Sequence, residues 1–179
     1  MALETVKSSI ITNRDATPQV LNDAGINGGL VRSAVAMVEV SAAANSGSTY
    51  IMFPIPSNAS NLRVWVVTDD LGTSTITADV GLYQTTANGS AAVDADFFAN
   101  ALDLADPGSG SLTLTGLTAQ GIEITHSNAY GIDDVEKPLW EALGLSADSQ
   151  RDYDVVVTMD SGAAVDTGGT IVVKATWVV

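Results

Sequence analysis

The sequence predicts a mainly β protein, an antiparallel β-sandwich of about eight strands with one or two short helices and an extended N-terminal arm. From Ser33 onward, short runs of β-branched and aromatic residues are separated by clusters of Gly, Asn, Ser and Asp. Several of these runs alternate, as strands with one buried face do. The 179 residues, 46% of them hydrophobic, are enough for one domain with a sizeable core.

The arm spans residues 1–33, and the sandwich domain spans residues 34–179. Ser, Thr, Asn, Pro and Gly residues interrupt any helix or strand period in the arm, so we expect an irregular segment. The arm contains Lys7, Arg14 and Arg32 and is nearly neutral, whereas the domain carries almost all of the excess acid. Fully extended, it could reach roughly 110 Å and cross to a neighbouring subunit. A disordered leader is the alternative.

Eight segments of the domain have the composition of strands. In residues 62–67, alternate side chains face opposite ways, which predicts one core-facing side and one partly exposed side. The last segment alternates in the same way, and its apolar residues need cover from a neighbouring strand or subunit. The segments are 35–40, 49–55, 61–68, 76–84, 111–117, 121–126, 153–159 and 170–178.

Two segments carry helix signals. Residues 133–144 begin with acidic residues, place Pro138 in the first turn and end with glycine. Residues 94–102 begin with Asp94 as a candidate N-cap and contain an aromatic pair that could dock on a sheet. We expect both helices to cover edges or ends of the sandwich.

Charge and residue types argue against several functions. The net charge of −14 and the pI near 4.1 argue against nucleic-acid binding, because the protein would repel phosphates. Without cysteine there is no disulfide, thiolate nucleophile or thiolate zinc site, and the single histidine leaves no His pair for a metal or a proton relay. No apolar run approaches the roughly 20 residues of a membrane span, and the first 33 residues contain no signal-peptide core.

Candidate catalytic and metal-binding residues have simpler interpretations. His126, Ser127 and Asp133 could form a hydrolase triad, but the serine lacks a Gly-x-Ser-x-Gly turn, so we interpret His126 as a solvated or strand-end residue. Acidic groups could hold calcium, yet they lack the EF-hand pattern and are typical of turns and helix N-termini. These groups are Asp69–Asp70, Asp94 with Asp96, and Asp133–Asp134 with Glu136. We therefore predict no catalytic residue, no cofactor and no metal site.

Three tryptophans, Trp65, Trp140 and Trp177, could form a platform that stacks on sugars. Because aromatic residues are only 6% of the chain, these rings are its largest sources of apolar burial, and we favour positions in the core or at an interface. A carbohydrate-binding sandwich and a sandwich glycosidase are the alternative functions, although no pair among the 21 acidic residues can be selected for glycosidase catalysis.

Six short motifs are spread over nearly the whole chain. They are TNRDATP (12–18), IPSNA (55–59), ADVGLY (78–83), DADFFA (94–99), EKPLWEALG (136–144) and RDYD (151–154). These motifs resemble those of tailed-bacteriophage capsid decoration, or cement, proteins of the jelly-roll type. They belong to turns and helix caps rather than to a chemical site, so the resemblance indicates kinship more directly than role.

The resemblance implies a jelly-roll protein on the outer surface of the phage head. There the protein would bridge subunits of the major capsid protein, commonly as a homotrimer at threefold or quasi-threefold positions. The resemblance implies no catalytic residue. A tail, fibre or head-completion virion protein with a carbohydrate-binding sandwich is the alternative. The candidate interface residues are Arg14, Asp15 and Pro18 in the arm, together with Arg32 and Trp177.

Overall fold

The computed structural model describes residues 6–41, 44–68, 71, 76–104, 121–160 and 169–179. These residues contain eight strands and two short α-helices. The helices are α1 (Ser9–Asp15) and α2 (Leu139–Ala142). The strands are β1 (Val31–Val40), β2 (Thr49–Pro56), β3 (Ser60–Thr68), β4 (Thr77–Gln84), β5 (Ala92–Asp103), β6 (Ile122–Glu123), β7 (Asp152–Met159) and β8 (Gly169–Val178).

The strands form two four-stranded antiparallel sheets. Sheet A has the order β1-β8-β3-β6, and sheet B has the order β2-β7-β4-β5. Apart from β4 and β5, described strands that follow one another in the sequence lie in different sheets. This is the strand order of an eight-stranded jelly roll, so the expected fold is confirmed.

The core lies between the sheets and follows the alternation in the sequence. In β3, Leu62, Val64 and Val66 are buried while their neighbours are partly or fully exposed, as predicted. In β8, every second residue from Ile171 to Trp177 is buried. Removing these apolar side chains from water is the main stabilising contribution, at roughly 25 cal/mol for each Å² buried.

The predicted helix over residues 94–102 is wrong, because these residues form most of β5. The Asp94 carboxylate does accept the N–H of Asp96, at 3.4 Å, so the local capping signal is present. However, the register between β4 and β5 shifts at three places, and these bulges allow the adjacent Phe97 and Phe98 both to be buried. Packing of the aromatic pair therefore overrides the local helix signal.

The predicted helix over residues 133–144 is confirmed only in part. The segment divides into a 3-10 turn at Ile132–Asp134 and the short helix α2, with Pro138 as the N-cap of α2. The N–H of Leu139 donates to a carbonyl oxygen of the β2–β3 turn at 2.7 Å, which docks α2 on the end of the sandwich. Gly144, with a φ of +73°, lies just after the helix, as expected of a C-terminal glycine.

Most of the predicted strands are confirmed with small changes of length. The segment 121–126 contributes only the two-residue strand β6, and the predicted strand 111–117 lies outside the described residues. β1 begins at Val31, inside the segment assigned to the arm. In the part of the chain that the structure describes, no helix is long and apolar enough to cross a membrane.

Candidate interaction surface

The described part of the arm contains no buried residue before β1 begins. The expectation of an irregular arm is wrong at one place, since Ser9–Asp15 form α1. Ser8 is the N-cap, and its Oγ accepts the N–H of Ile11 at 3.4 Å. With no buried side chain of its own, α1 depends on capping and ion pairs rather than on packing.

Two of the predicted interface residues, Arg14 and Asp15, form an ion pair at the end of α1. Arg14 Nε lies 2.8 Å from Asp15 Oδ1, and Lys7 Nζ lies 2.8 Å from Asp15 Oδ2. The hydrogen bond from Arg14, followed by the one from Lys7, lowers the pKa of Asp15. Exposed pairs of this kind contribute little to folding stability.

The third predicted residue, Pro18, follows a cis Thr17–Pro18 peptide bond. Beyond it the chain turns back against α1, and the N–H of Val20 donates to the carbonyl oxygen of Asn13 at 3.1 Å. The next side chain, Leu21, is 90% exposed, and Val20 is 50% exposed. The return segment therefore presents uncovered apolar side chains beside the charged end of α1.

The arm lies against one end of its own sandwich through a few polar contacts. Ser60 Oγ donates to the carbonyl oxygen of Gly25 at 3.1 Å, and Ser9 Oγ donates to Glu136 Oε2 at 3.3 Å. The backbone groups of Leu30 and Val179 add two hydrogen bonds, but no side chain of the described arm before β1 is buried.

A cleft of about 580 Å³ lies between the arm and α2. Its lining includes the acidic residues Asp23, Glu136 and Glu141 and the ring of Trp140. Carboxylates beside an aromatic face can accept a cationic side chain of another protein.

The remaining two predicted interface residues, Arg32 and Trp177, lie opposite each other in the β1–β8 pair. Arg32 is exposed near the start of β1. Trp177 faces the core and is 8% exposed, so little of its ring is open to another molecule. The structure therefore brings Arg14 together with Asp15 in the arm, and Arg32 together with Trp177 in sheet A. The role of all five residues at an interface stays a prediction.

His126 forms no hydrogen bond with the residues proposed for a hydrolase triad, Ser127 and Asp133. Its ring stacks on Tyr130 with a centroid separation of 5.3 Å and an interplanar angle of 12°. Its Nδ1 lies 3.1 Å from the carbonyl oxygen of Tyr130. His126 is exposed and lies three residues after β6, which fits the interpretation of a solvated or strand-end residue.

The acidic pair Asp94 and Asp96 lies on β5. Burial, followed by the hydrogen bond to Asp96, raises the pKa of Asp94, whereas the hydrogen bond from Asn100 is the main cause that lowers the pKa of Asp96. Asn100 Nδ2 donates to Asp96 Oδ2 at 2.6 Å. Both carboxylates therefore accept hydrogen bonds from other residues of the bulged strand β5.

In the acidic group of Asp133, Asp134 and Glu136, the carboxylate of Asp134 has two partners. Asp134 Oδ2 accepts the N–H of Gly131 at 3.1 Å, and its Oδ1 lies 2.7 Å from Lys137 Nζ, so it closes a turn. Asp69 and Asp70 lie outside the described residues. Among the residues that are described, no group of three or more His, Cys, Asp or Glu could hold a metal ion.

The three tryptophans do not line one surface. Trp65 borders a depression on the outside of sheet A, and Trp140 borders the cleft beside the arm. Trp177 faces the core. A single sugar-stacking platform would need these rings side by side, so the geometry does not favour the carbohydrate-binding alternative.

Sequence reasoning missed the exposed apolar row of β1. Val31, Val35 and Met37 are 65%, 66% and 71% exposed on the outer side of sheet A. The only signal in the sequence is the alternation of larger side chains with alanine. Since both faces of this strand are apolar, the pattern does not say which one is outside.

Comparison with known proteins gives a likeness at the level of structure. No protein-family model matches the chain, and no curated protein matches it. A chain from the capsid asymmetric unit of cyanophage Pam1 is 18% identical, with a TM-score of 0.55 over 92% of this chain and 96% of that chain. A chain from the acidic stable capsid structure of Helicobacter pylori bacteriophage KHP30 is 12% identical, with a TM-score of 0.43 over 83% and 94% of the two chains. At this identity, the likeness to the Pam1 chain shows a shared fold.

Proposed function

We propose that this chain is a structural virion protein of a tailed bacteriophage that decorates the outer surface of the head and bridges major capsid protein subunits. One observation carries the proposal. The fold matches a chain of the Pam1 capsid asymmetric unit over 92% of this chain and 96% of that one, so the two chains are of similar length. The motif resemblance to decoration proteins is independent of this structural match.

The arm supports a role in attachment. Its apolar side chains Val6, Val20 and Leu21 are at least half exposed, and the ion pair of Arg14 with Asp15 lies beside them. An arm that carries apolar and charged groups and is held weakly to its own domain can order on another protein and add contact area there. A stable contact needs at least roughly 1,000 Å² of buried surface.

The sandwich supports a position on the outside of the shell. Its acidic domain would be repelled by packaged DNA, so a position on the outer surface of the capsid is more favourable than one in the DNA-filled interior. We propose a homotrimer at threefold or quasi-threefold positions, as the resemblance implies. Several weak contacts made by the same trimer would then add up to strong attachment through avidity.

The test is a deletion of residues 1–22, which removes α1 and keeps the contact of Gly25 with Ser60. We expect the shortened protein to keep its β-sheet circular dichroism and to bind undecorated capsids of its own phage at least about 10-fold more weakly in co-sedimentation. Unchanged binding would remove the arm from the mechanism. Failure of the full-length protein to bind any capsid would reject the decoration role itself.

A matched pair of charge variants sharpens this test. Arg14→Ala with Asp15→Ala removes both ion pairs of Asp15, with Arg14 and with Lys7, without changing the net charge, and it should weaken capsid binding. Arg63→Ala with Glu123→Ala removes an exposed pair on sheet A, whose Nε and Oε1 atoms lie 3.9 Å apart. The second variant should bind like the unmodified protein.

A further inference from the structure

Two asparagines of the chain are followed by glycine, and the structure places them in different surroundings. They are Asn27, in the turn at residues 24–28 of the arm, and Asn88, in the 3-10 turn between β4 and β5. An Asn–Gly sequence can deamidate without an enzyme, because glycine has no side chain that hinders attack of its backbone nitrogen on the preceding side-chain amide. The rate then depends on how freely these two groups can meet.

At Asn88, hydrogen bonds hold both reacting groups. The side-chain Nδ2 of Asn88 donates to Thr85 Oγ1 at 3.0 Å, and the N–H of Gly89 donates to the carbonyl oxygen of Thr86 at 3.2 Å. The backbone N–H of Asn88 also donates to the carbonyl oxygen of Thr85, at 2.8 Å, which fixes the turn. Attack on the side-chain amide would first have to break the bonds of the amide and of the Gly89 N–H, so they raise the barrier to deamidation.

At Asn27, the same two groups are not restrained. Within the described ranges of the chain, no residue is hydrogen-bonded to the Asn27 side chain or to the N–H of Gly28. Both residues are exposed, and a Cβ at Gly28 would have no contact within 4 Å beyond its chain neighbours, so there is room for a ring to close. The backbone N–H of Asn27 donates to the carbonyl oxygen of Asp23 at 3.0 Å, but this N–H takes no part in the reaction.

We propose that Asn27 is a deamidation site and that its reaction displaces the arm from the sandwich. The backbone nitrogen of Gly28 loses its proton to a base in the solvent and bonds to Cγ of Asn27. A five-membered succinimide ring closes as the side-chain nitrogen leaves as ammonia. Water then opens the ring at either carbonyl group, so residue 27 becomes aspartate or isoaspartate and gains a negative charge.

The site lies between two contacts of the arm with the sandwich. On one side, Ser60 Oγ donates to the carbonyl oxygen of Gly25 at 3.1 Å. On the other side, Leu30 and Val179 exchange two backbone hydrogen bonds, at 2.9 and 3.1 Å. A change in the length of the main chain between these contacts strains both of them. Because the contact at Gly25 is a single hydrogen bond from a side chain, we expect it to break first.

The turn has little space for a longer main chain. A Cβ at Gly29 would overlap the carbonyl oxygen of Ala24 and the side chain of Val178, and a Cβ at Gly25 would overlap the side chain of Ser60. Isoaspartate at residue 27 adds one carbon to the main chain between these two close approaches. Since closely packed groups do not accept an added carbon without moving, the arm shifts away from Ser60.

Ageing of the purified full-length protein tests the site. After incubation in mildly alkaline buffer, peptide mass spectrometry with fragmentation measures deamidation at Asn27 and Asn88 in the same sample. We expect Asn27 to react at least about 10-fold faster, because hydrogen bonds restrain only Asn88. In concentrated urea both sites lose their native surroundings, and the difference should disappear. Thr85→Val removes the hydroxyl that holds the Asn88 side chain, and it should speed the reaction at Asn88 while leaving Asn27 unchanged.

A single thiol reports the displacement of the arm. The chain contains no cysteine, and Ser60, which contacts Gly25, is 3% exposed, so Ser60→Cys places one covered thiol beneath the arm. We expect a thiol reagent to label the aged Ser60→Cys variant at least about threefold faster than the fresh one, because the displaced arm no longer covers the thiol. Adding Asn27→Gln is the matched control. Glutamine keeps the amide but would have to close a larger ring, so labelling should not change with age.

Two results would overturn the proposal. Equal rates of deamidation at Asn27 and Asn88 in the folded protein would show that the hydrogen bonds do not select the site. Labelling of the Ser60→Cys thiol that stays unchanged after Asn27 has reacted would show that the arm keeps its position. The modification goes beyond the proposed function and does not rest on it. No capsid is present in these experiments, so their failure is distinguishable from failure of the decoration role.

Discussion

The arm and the sandwich contain similar apolar residues but use them differently. Leu21 in the arm is 90% exposed, whereas Leu82 in β4 is fully buried. The sandwich strands hold alternate side chains against a shared core, while the seven residues of α1 bury nothing. The comparison teaches that folding stability resides in the sandwich, whereas the apolar side chains of the arm stay largely uncovered.

Truncation in the core should produce the largest effect. Phe98 is fully buried, and its ring centroid lies 5.1 Å from that of Phe97 and 6.2 Å from that of Tyr130. Phe98→Ala should lower the free energy of unfolding by about 3–5 kcal/mol in urea titrations. The matched arm variant Leu21→Ala should change it by less than about 0.5 kcal/mol. Equal losses in the two variants would contradict the comparison.

A smaller loss of folding stability is expected where the backbones of β4 and β5 approach each other closely. Gly81 is buried in β4, and a Cβ there would overlap the backbone of Asp94 and Ala95 in the bulged strand β5. Gly81→Ala should therefore cost about 1–3 kcal/mol of unfolding free energy, measured by the same titration. At Gly131 a Cβ would meet nothing closer than Asp134 Oδ2 at 3.6 Å, so Gly131→Ala should leave stability nearly unchanged.

The smallest effect should come from a charge on the sandwich surface. Burial, followed by the charge of Asp152, raises the pKa of Asp154. An acid with a raised folded-state pKa costs stability once it ionises, so Asp154→Asn should raise the Tm by roughly 1–2 °C at pH 7. The gain should vanish below about pH 4, where the aspartate is protonated in both the folded and the unfolded state.

A second aspartate provides the control of opposite sign. The hydrogen bond from Ser57 is the main cause that lowers the pKa of Asp148. Asp148→Asn should therefore lower the Tm at pH 7, and the difference should disappear as the pH falls through the folded-state pKa. A pH-independent change in either variant would show that packing, rather than ionisation, is responsible.

Local signals predicted the regular parts of the fold and failed where distant packing competes with them. The alternation in β3 and β8 indicated which residues face the core, because a strand has only two faces. The capping signal at Asp94 is real, yet the chain there is a strand because Phe97 and Phe98 pack into the core. In the arm, the capped helix α1 was missed because its short polar segment has no apolar period.

The candidate interface residues, like the fold, were only partly predictable from the sequence. Composition predicted that Arg14 and Asp15 belong to an irregular arm outside the sandwich domain. In the structure these two residues form an ion pair. The sequence left open whether Trp177 lies in the core or at an interface, and in the structure it faces the core of its own chain. A strand that ends a sequence can lie at an edge or between neighbours, and no local pattern distinguishes the two.

An acidic, cysteine-free β-sandwich with a nearly neutral arm can be predicted from the sequence, because composition and the two-residue period are local properties. The position of β8 between β1 and β3, which leaves β1 at the edge of sheet A with Val35 and Met37 exposed, is visible only in the folded chain. The reason is that the order of strands in a sheet follows from pairing between distant segments, and that pairing is chosen by the packing of the whole core.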